Sequence, residues 1–162
     1  DLPVDSLVDP WGIEFAPVFK GRDGARTPMP WRARAHEAGF TSGKPWLPIP
    51  DEHRRVAVDV QEADPSSVLA TCRRLLRFRK AHPALVTGSI KVLETTSPIW
   101  AFARAEGAER LLCVFNLSNR PATWAIEAGA WQPLDGHGFT AQLDGAEVRL
   151  PAFGAMIAAA AG

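Results

Sequence analysis

Between Gly21 and Trp31 the chain reads Gly-Arg-Asp-Gly-Ala-Arg-Thr-Pro-Met-Pro-Trp, and the side chains there best suited to recognition chemistry are Arg22, Asp23 and Arg26. A guanidinium is planar, stays charged at any working pH and aims several N–H donors in fixed directions. Arg26 is the leading candidate to contact a ligand; the competing use is pairing with an acidic neighbour to order the loop. Arg22 reads as a brace and Asp23 as an acceptor of loop hydrogen bonds, the usual fate of polar groups in a packed loop. Trp31 and Trp46 could stack on a ligand, but their large apolar area favours packing of the loop. The histidines, His36, His53, His82 and His137, are dispersed without metal-ligand spacing and read as surface or boundary residues, so no metal is assigned. Cys72 and Cys113 sit among apolar neighbours and read as small buried hydrophobes.

The elements that must hold these residues fall into two regimes. From Asp1 to about Ala63 no sustained period appears, yet the stretch carries prolines throughout and Trp11, Trp31, Trp46, Phe15, Phe19 and Phe40. Disordered segments are poor in aromatics, so this one is expected to pack on something. From Pro65 to about Lys80, Val68, Leu69, Cys72, Leu75 and Leu76 recur at helical spacing and form one apolar stripe. Asp64 is placed to cap that helix, Pro65 to open it, and Arg77, Arg79 and Lys80 to complement its negative end before Pro83 stops it. After Leu85 the spacing predicts strands at 89–94, 99–104, 110–117, 122–127, 139–143, 146–150 and 154–159, an antiparallel sandwich. The alanine-rich 152–161 run is read as a strand because it follows that series.

The segment Arg22-Asp23-Gly24-Ala25-Arg26-Thr27-Pro28-Met29-Pro30-Trp31, with Ala38-Gly39-Phe40-Thr41 and Pro45-Trp46-Leu47 after it, resembles the corresponding motif of α-glucosidases in glycoside hydrolase family 13. Gln61–Ser67 and Arg73–Leu85 are similar to that family's last barrel helix and its exit, and Phe115-Asn116-Leu117-Ser118 to its C-terminal β-domain. The resemblance implies that residues 1–85 are the C-terminal end of a catalytic (β/α)8 barrel, namely the loop after the eighth strand and the last helix. Residues 86–162 would then be an all-β antiparallel sandwich domain. It implies an α-glucoside substrate, such as maltose or sucrose, and a retaining mechanism run by carboxylates. Those carboxylates would lie upstream, with no catalytic residue in this chain, which alone is expected to be inactive. The barrel's site lies at the C-terminal ends of its strands, so Arg26 matches the arginine that contacts glucose there, and Arg22 and Asp23 follow as weaker candidates. Pro30 stands where some relatives specialised for α-1,6 bonds carry glutamine, which points towards an α-1,4-type or sucrose-type substrate.

Lysines and arginines number 18 and so do aspartates and glutamates, leaving no net field for nucleic acid or an anionic membrane. Neither is an expected partner; the upstream part of the same protein is. No apolar run reaches membrane-spanning length and Asp1-Leu2-Pro3-Val4-Asp5 lacks the features of a signal peptide. With two unpaired cysteines, a cytoplasmic protein is expected, without a cofactor, and the start suggests a cut or processed chain. The alternative is a non-catalytic carbohydrate-binding or subunit-interaction module displaying Trp100, Trp124 or Trp131. Alternation instead puts Trp100 with Phe102 and Trp124 with Ile126 on shared strand faces, as in a sandwich core.

Overall fold

The computed structural model describes residues 1–161. Two compact units are present, Asp1–Thr71 and Cys72–Gly162.

In the first unit, proline punctuation keeps every element short. Single 3₁₀ turns occur at Val4–Ser6, Asp23–Ala25 and His36–Gly39, with helices α1 (Pro10–Phe15), α2 (Asp51–Arg55) and α3 (Val58–Glu62). No strand falls in this unit among the described residues. Hydrogen bonds over long loop distances do the work of regular structure. Val58 N–H and Asp59 N–H donate to the carbonyls of Pro30 and Trp31, the Asp59 carboxylate accepts from Ala33 N–H, and Arg54 Nη1 donates to the carbonyls of Ala33 and Ala35. Leu2, Leu7 and Leu47 form a small core with Ala16 against it. Against that modest core stand Trp11, Ile13, Phe15, Val18 and Phe19, all at least half exposed or close to it.

Helix α4 (Val68–Ala81) starts three residues later than the sequence predicts. Ser67 is the cap: its Oγ accepts from Ala70 N–H at 3.1 Å and its carbonyl from Thr71 N–H at 2.9 Å. Asp64 is already engaged, its Oδ1 accepting from Ser66 N–H and Ser66 Oγ at 2.8 and 2.7 Å. A carboxylate closed into that local turn is not free to cap, so Pro65 falls outside the helix. The stop holds: Ala81 ends α4 and Pro83 opens α5 (Pro83–Val86). The apolar stripe is not the buried face. Val68 and Leu76 are well exposed and so is Cys72, whereas Phe78 is buried. Cys72 is thus no core residue; Cys113 is, and burial pushes its thiol up to about 11 against the opposing charge of Arg104.

The second unit is the expected antiparallel sandwich. Strands β1 (Ser89–Val92), β2 (Ile99–Glu106), β3 (Glu109–Asn116), β4 (Ala122–Ala125), β5 (Trp131–Pro133), β6 (Gln142–Asp144), β7 (Glu147–Leu150) and β8 (Ala155–Ala160) form two sheets, ordered β1-β2-β3-β8-β5 and β4-β7-β6. Ile99, Ala101, Leu112, Val114, Met156 and Ala158 of the larger sheet meet Val148 and Leu150 of the smaller, with Trp124, Ile126 and Trp131 packed around them. The period of two turns Cys113 and Ile157 to the opposite face, where Phe78 of α4, Leu85, Phe102, Phe115, Leu134 and Phe139 cover them. Trp100 lies with that second group, 5.0 Å from Phe102 and 5.7 Å from Phe115 by ring centroids, and is 44% exposed. It is therefore not a sandwich-core residue, although Trp124 and Ile126 do pack there. The strand predicted at 139–143 is pushed to Gln142–Asp144 because Phe139 turns into the outer cluster. The strand at Trp131–Pro133 has no alternation to reveal it. It is an edge strand paired with β8, a setting in which a strand tolerates a proline.

His137, too, is not a surface residue: it is 5% exposed, with its ring 5.3 Å from Phe78 and 5.1 Å from Phe139. Its Nδ1 accepts from Phe139 N–H at 2.9 Å, and burial lowers its pKa from the ordinary 6.5.

Candidate functional site

The arginine loop is built by two carboxylates that clasp two segments to each other. Asp23, fully buried, accepts through Oδ2 from Val8 N–H at 2.7 Å and Asp9 N–H at 2.8 Å. Asp9, 3% exposed, accepts through Oδ2 from Arg22 N–H at 3.0 Å and through Oδ1 from Trp11 N–H at 3.1 Å, capping α1. Each acid thus satisfies main-chain donors beside the other. The Arg22 N–H holds the Asp9 carboxyl below its ordinary 3.8 against the cost of burial, helped by Trp11 N–H and the guanidiniums of Arg26 and Arg22. Gly21 sits between them at φ +67°, and a Cβ there would stand 2.8 Å from the Asp9 carboxyl carbon. Both the turn and the close approach require glycine.

Arg26 is held over this clasp. Arg26 N–H closes the 3₁₀ turn onto the Asp23 carbonyl at 2.9 Å. Its Nη1 lies 3.7 Å from Asp9 Oδ2 and 3.9 Å from Asp23 Oδ1, with 37% of the side chain exposed. Both separations suit charge attraction and are too long for hydrogen bonds. No side-chain hydrogen bond engages Arg26 among the described residues, so its directed donors are unspent. Arg22 approaches Asp9 Oδ2 through Nε at 3.6 Å and is 73% exposed. The three sequence candidates therefore come together, with Asp23 as the loop acceptor. Asp9, which organises all three, was not among them. The Asp9-Pro10 pair could have shown it, as a capping residue followed by proline at the first helical position.

Downstream, Thr27 Oγ1 and His53 Nδ1 lie 2.9 Å apart, tying the loop to α2. Trp31 and Trp46 are not packed away inside the loop as expected: the two residues are 49% and 59% exposed. The small core of this unit is built from Leu2, Leu7 and Leu47 without either indole. Trp46 lines a separate open cleft of about 550 Å³ with Asp5, Ser6, Glu37, Lys44 and Leu47, which none of Arg22, Asp23 or Arg26 lines. Among the described residues, no group of three or more histidines, cysteines, aspartates or glutamates could hold a metal ion, and no helix is long and apolar enough to cross a membrane.

Known proteins resemble this chain in sequence and in fold. Residues 6–88 match the family described as alpha amylase, catalytic domain. A probable alpha-glucosidase of Rhizobium meliloti is 48% identical over 98% of this chain and 28% of its own length. A glucan 1,6-alpha-glucosidase of Streptococcus pneumoniae is 36% identical over 78% of this chain and 22% of its own. The crystal structure of the alpha-glucosyl transfer enzyme XgtA superposes with a TM-score of 0.88 at 44% identity, covering 99% of this chain and 30% of that one. Residues 6–88 carry the family match and the whole chain aligns with its members, so the chain belongs to the alpha-amylase family. It spans between a fifth and a third of the length of these relatives.

Proposed function

We propose that this chain is part of a retaining α-glucosidase, with residues 1–85 ending its catalytic barrel and residues 86–162 forming the sandwich domain that follows. Its contribution to the site is Arg26, which donates hydrogen bonds to glucoside hydroxyls, with Arg22 beside it. The observation that carries this reading is the Arg26 guanidinium: oriented by two buried carboxylates, partly exposed, and with its donors unengaged. Asp9 and Asp23 are committed to main-chain N–H groups, so neither serves as nucleophile or acid/base. Those carboxylates are assigned to a part of the protein outside these residues. The short coverage of the relatives supports this, as do the uncovered side chains around α1 and along α4.

A retaining glycosidase forms a glycosyl-enzyme that water or another hydroxyl resolves. Hydrolysis and glucosyl transfer are therefore two outcomes of one site, and products formed from maltose or sucrose separate them. The decisive experiment compares Arg26→Ala with Arg34→Ala in the complete enzyme on a nitrophenyl α-glucoside. Losing a charged hydrogen-bond donor is expected to lower kcat/KM about 10–100-fold for Arg26→Ala, with Arg34→Ala near wild type. Equal and negligible effects remove Arg26 from the site. Turnover by the isolated chain would sink the assignment of the carboxylates elsewhere.

A further inference from the structure

We infer that Asp9 is a positioning residue for Arg26, setting the direction in which the guanidinium presents its donors. This rests on the reading that Arg26 touches the glucoside. Asp9 Oδ2 stands where three donors meet: Arg22 N–H at 3.0 Å, Arg22 Nε at 3.6 Å and Arg26 Nη1 at 3.7 Å. The carboxylate itself cannot rotate away, because Oδ1 is fixed by Trp11 N–H and Asp9 N–H is fixed by Asp23. Burial of both acids keeps solvent from screening their pull on Arg26.

Asp23 adds to that pull. Its Oδ1 is buried with no hydrogen-bond partner among the described residues, and it lies 3.9 Å from the same Nη1. Two anions drawing on one terminal nitrogen fix that end of the guanidinium and leave Nε and Nη2 for an external acceptor. The neighbouring Arg22 competes for Asp9 with a side chain twice as exposed, so it is the looser partner.

A positioning role and a purely structural role differ in additivity. A residue that acts through Arg26 has nothing left to act on once Arg26 is gone; a residue that merely holds the fold costs the same in either background. The test is a double-mutant cycle in the complete enzyme with Asp9→Ser, Arg26→Ala and the pair, reading kcat/KM on a nitrophenyl α-glucoside alongside urea unfolding. Serine can still cap α1 for Trp11 N–H, but it lacks the second oxygen and the charge. Asp9→Ser is expected to lose about tenfold in the wild-type background, the scale of coupling within one ion-pair network, and less than about twofold in the Arg26→Ala background. Equal losses in both backgrounds overturn the positioning role while leaving Arg26 in the site. A neutral Arg26→Ala overturns the parent reading instead. Asp9→Asn, which keeps shape and removes charge, repeats the cycle independently. Failure of both Asp9 variants to yield folded enzyme also overturns the inference, which requires a folded, slower enzyme.

Discussion

Replacing Asp23 by alanine and by asparagine separates what its two oxygens do. Oδ2 alone carries the bonds from Val8 N–H and Asp9 N–H, at 2.7 and 2.8 Å. Alanine removes that acceptor, and the complete burial of the site gives water little access to replace it. Leaving a buried donor unsatisfied costs about 1–3 kcal/mol, so the two together cost about 2–6 kcal/mol, a large share of a small unit's stability. Asparagine can keep its amide oxygen at the Oδ2 position and place its NH2 where Oδ1 now has no hydrogen-bond partner. The main-chain bonds are then kept, but the NH2 is itself a buried donor without a partner, so the fold loses about 1–3 kcal/mol, while Arg26 gains a donor facing it in place of an anion. Urea unfolding followed by tryptophan fluorescence should show an earlier transition for both variants, with the larger shift for Asp23→Ala. Glucoside turnover by the complete enzyme should fall in both. If the two variants unfold alike, or alanine costs under about 1 kcal/mol, the clasp described here does not hold the loop.

Two more expectations concern the sandwich. Leu112 is flanked in register by Ala103 and Ala158 and is 1% exposed; Leu112→Ala leaves three alanines side by side, so neither neighbour in its own sheet row can reach into the gap. The loss should fall in the upper part of the range of about 2–5 kcal/mol for such truncations, read as a lower urea midpoint. His137 gives a pH signature: because burial depresses its pKa in the fold, the unfolded chain binds a proton that the folded one refuses as pH drops below the ordinary 6.5. Stability should therefore decline from pH 7.5 to 5.5 and level off beneath the folded pKa. His137→Asn, which keeps an acceptor for Phe139 N–H, should flatten that decline.

Much of the second unit was legible in the sequence because each strand face alternates on its own. Ile99 and Ala101 point one way and Trp100 and Phe102 the other, whatever lies beyond. Periodicity does not say which face meets the second sheet, and so it put Trp100 in the wrong layer. Trp131–Pro133 was hidden because a three-residue edge strand containing proline has no pattern to detect. The start of α4 shifted for a local reason: Asp64 and Ser67 are both good caps, and only the bonds from Ser66 decide between them. In the site, Arg22, Asp23 and Arg26 stood out by motif, but Asp9 lies outside it. Its importance arises from a pairing between chain segments that composition does not encode.

Two features of the chain place different demands on their surroundings. Val68, Cys72 and Leu76 of α4 and Trp11 and Phe15 of α1 are left exposed, so their burial needs other surfaces. The clasp needs none. The hydrogen bonds that fix Asp9, Asp23 and the turn carrying Arg26 lie within or between residues 8–13 and 22–26. Loop closure over so short a span costs little entropy, and the bonds at stake are charge-assisted. The guanidinium can therefore take its direction from local structure. In the proposed enzyme, docking of the remaining barrel then supplies the carboxylates opposite an arginine that is already aimed, and preorganisation of this kind lowers the cost of binding.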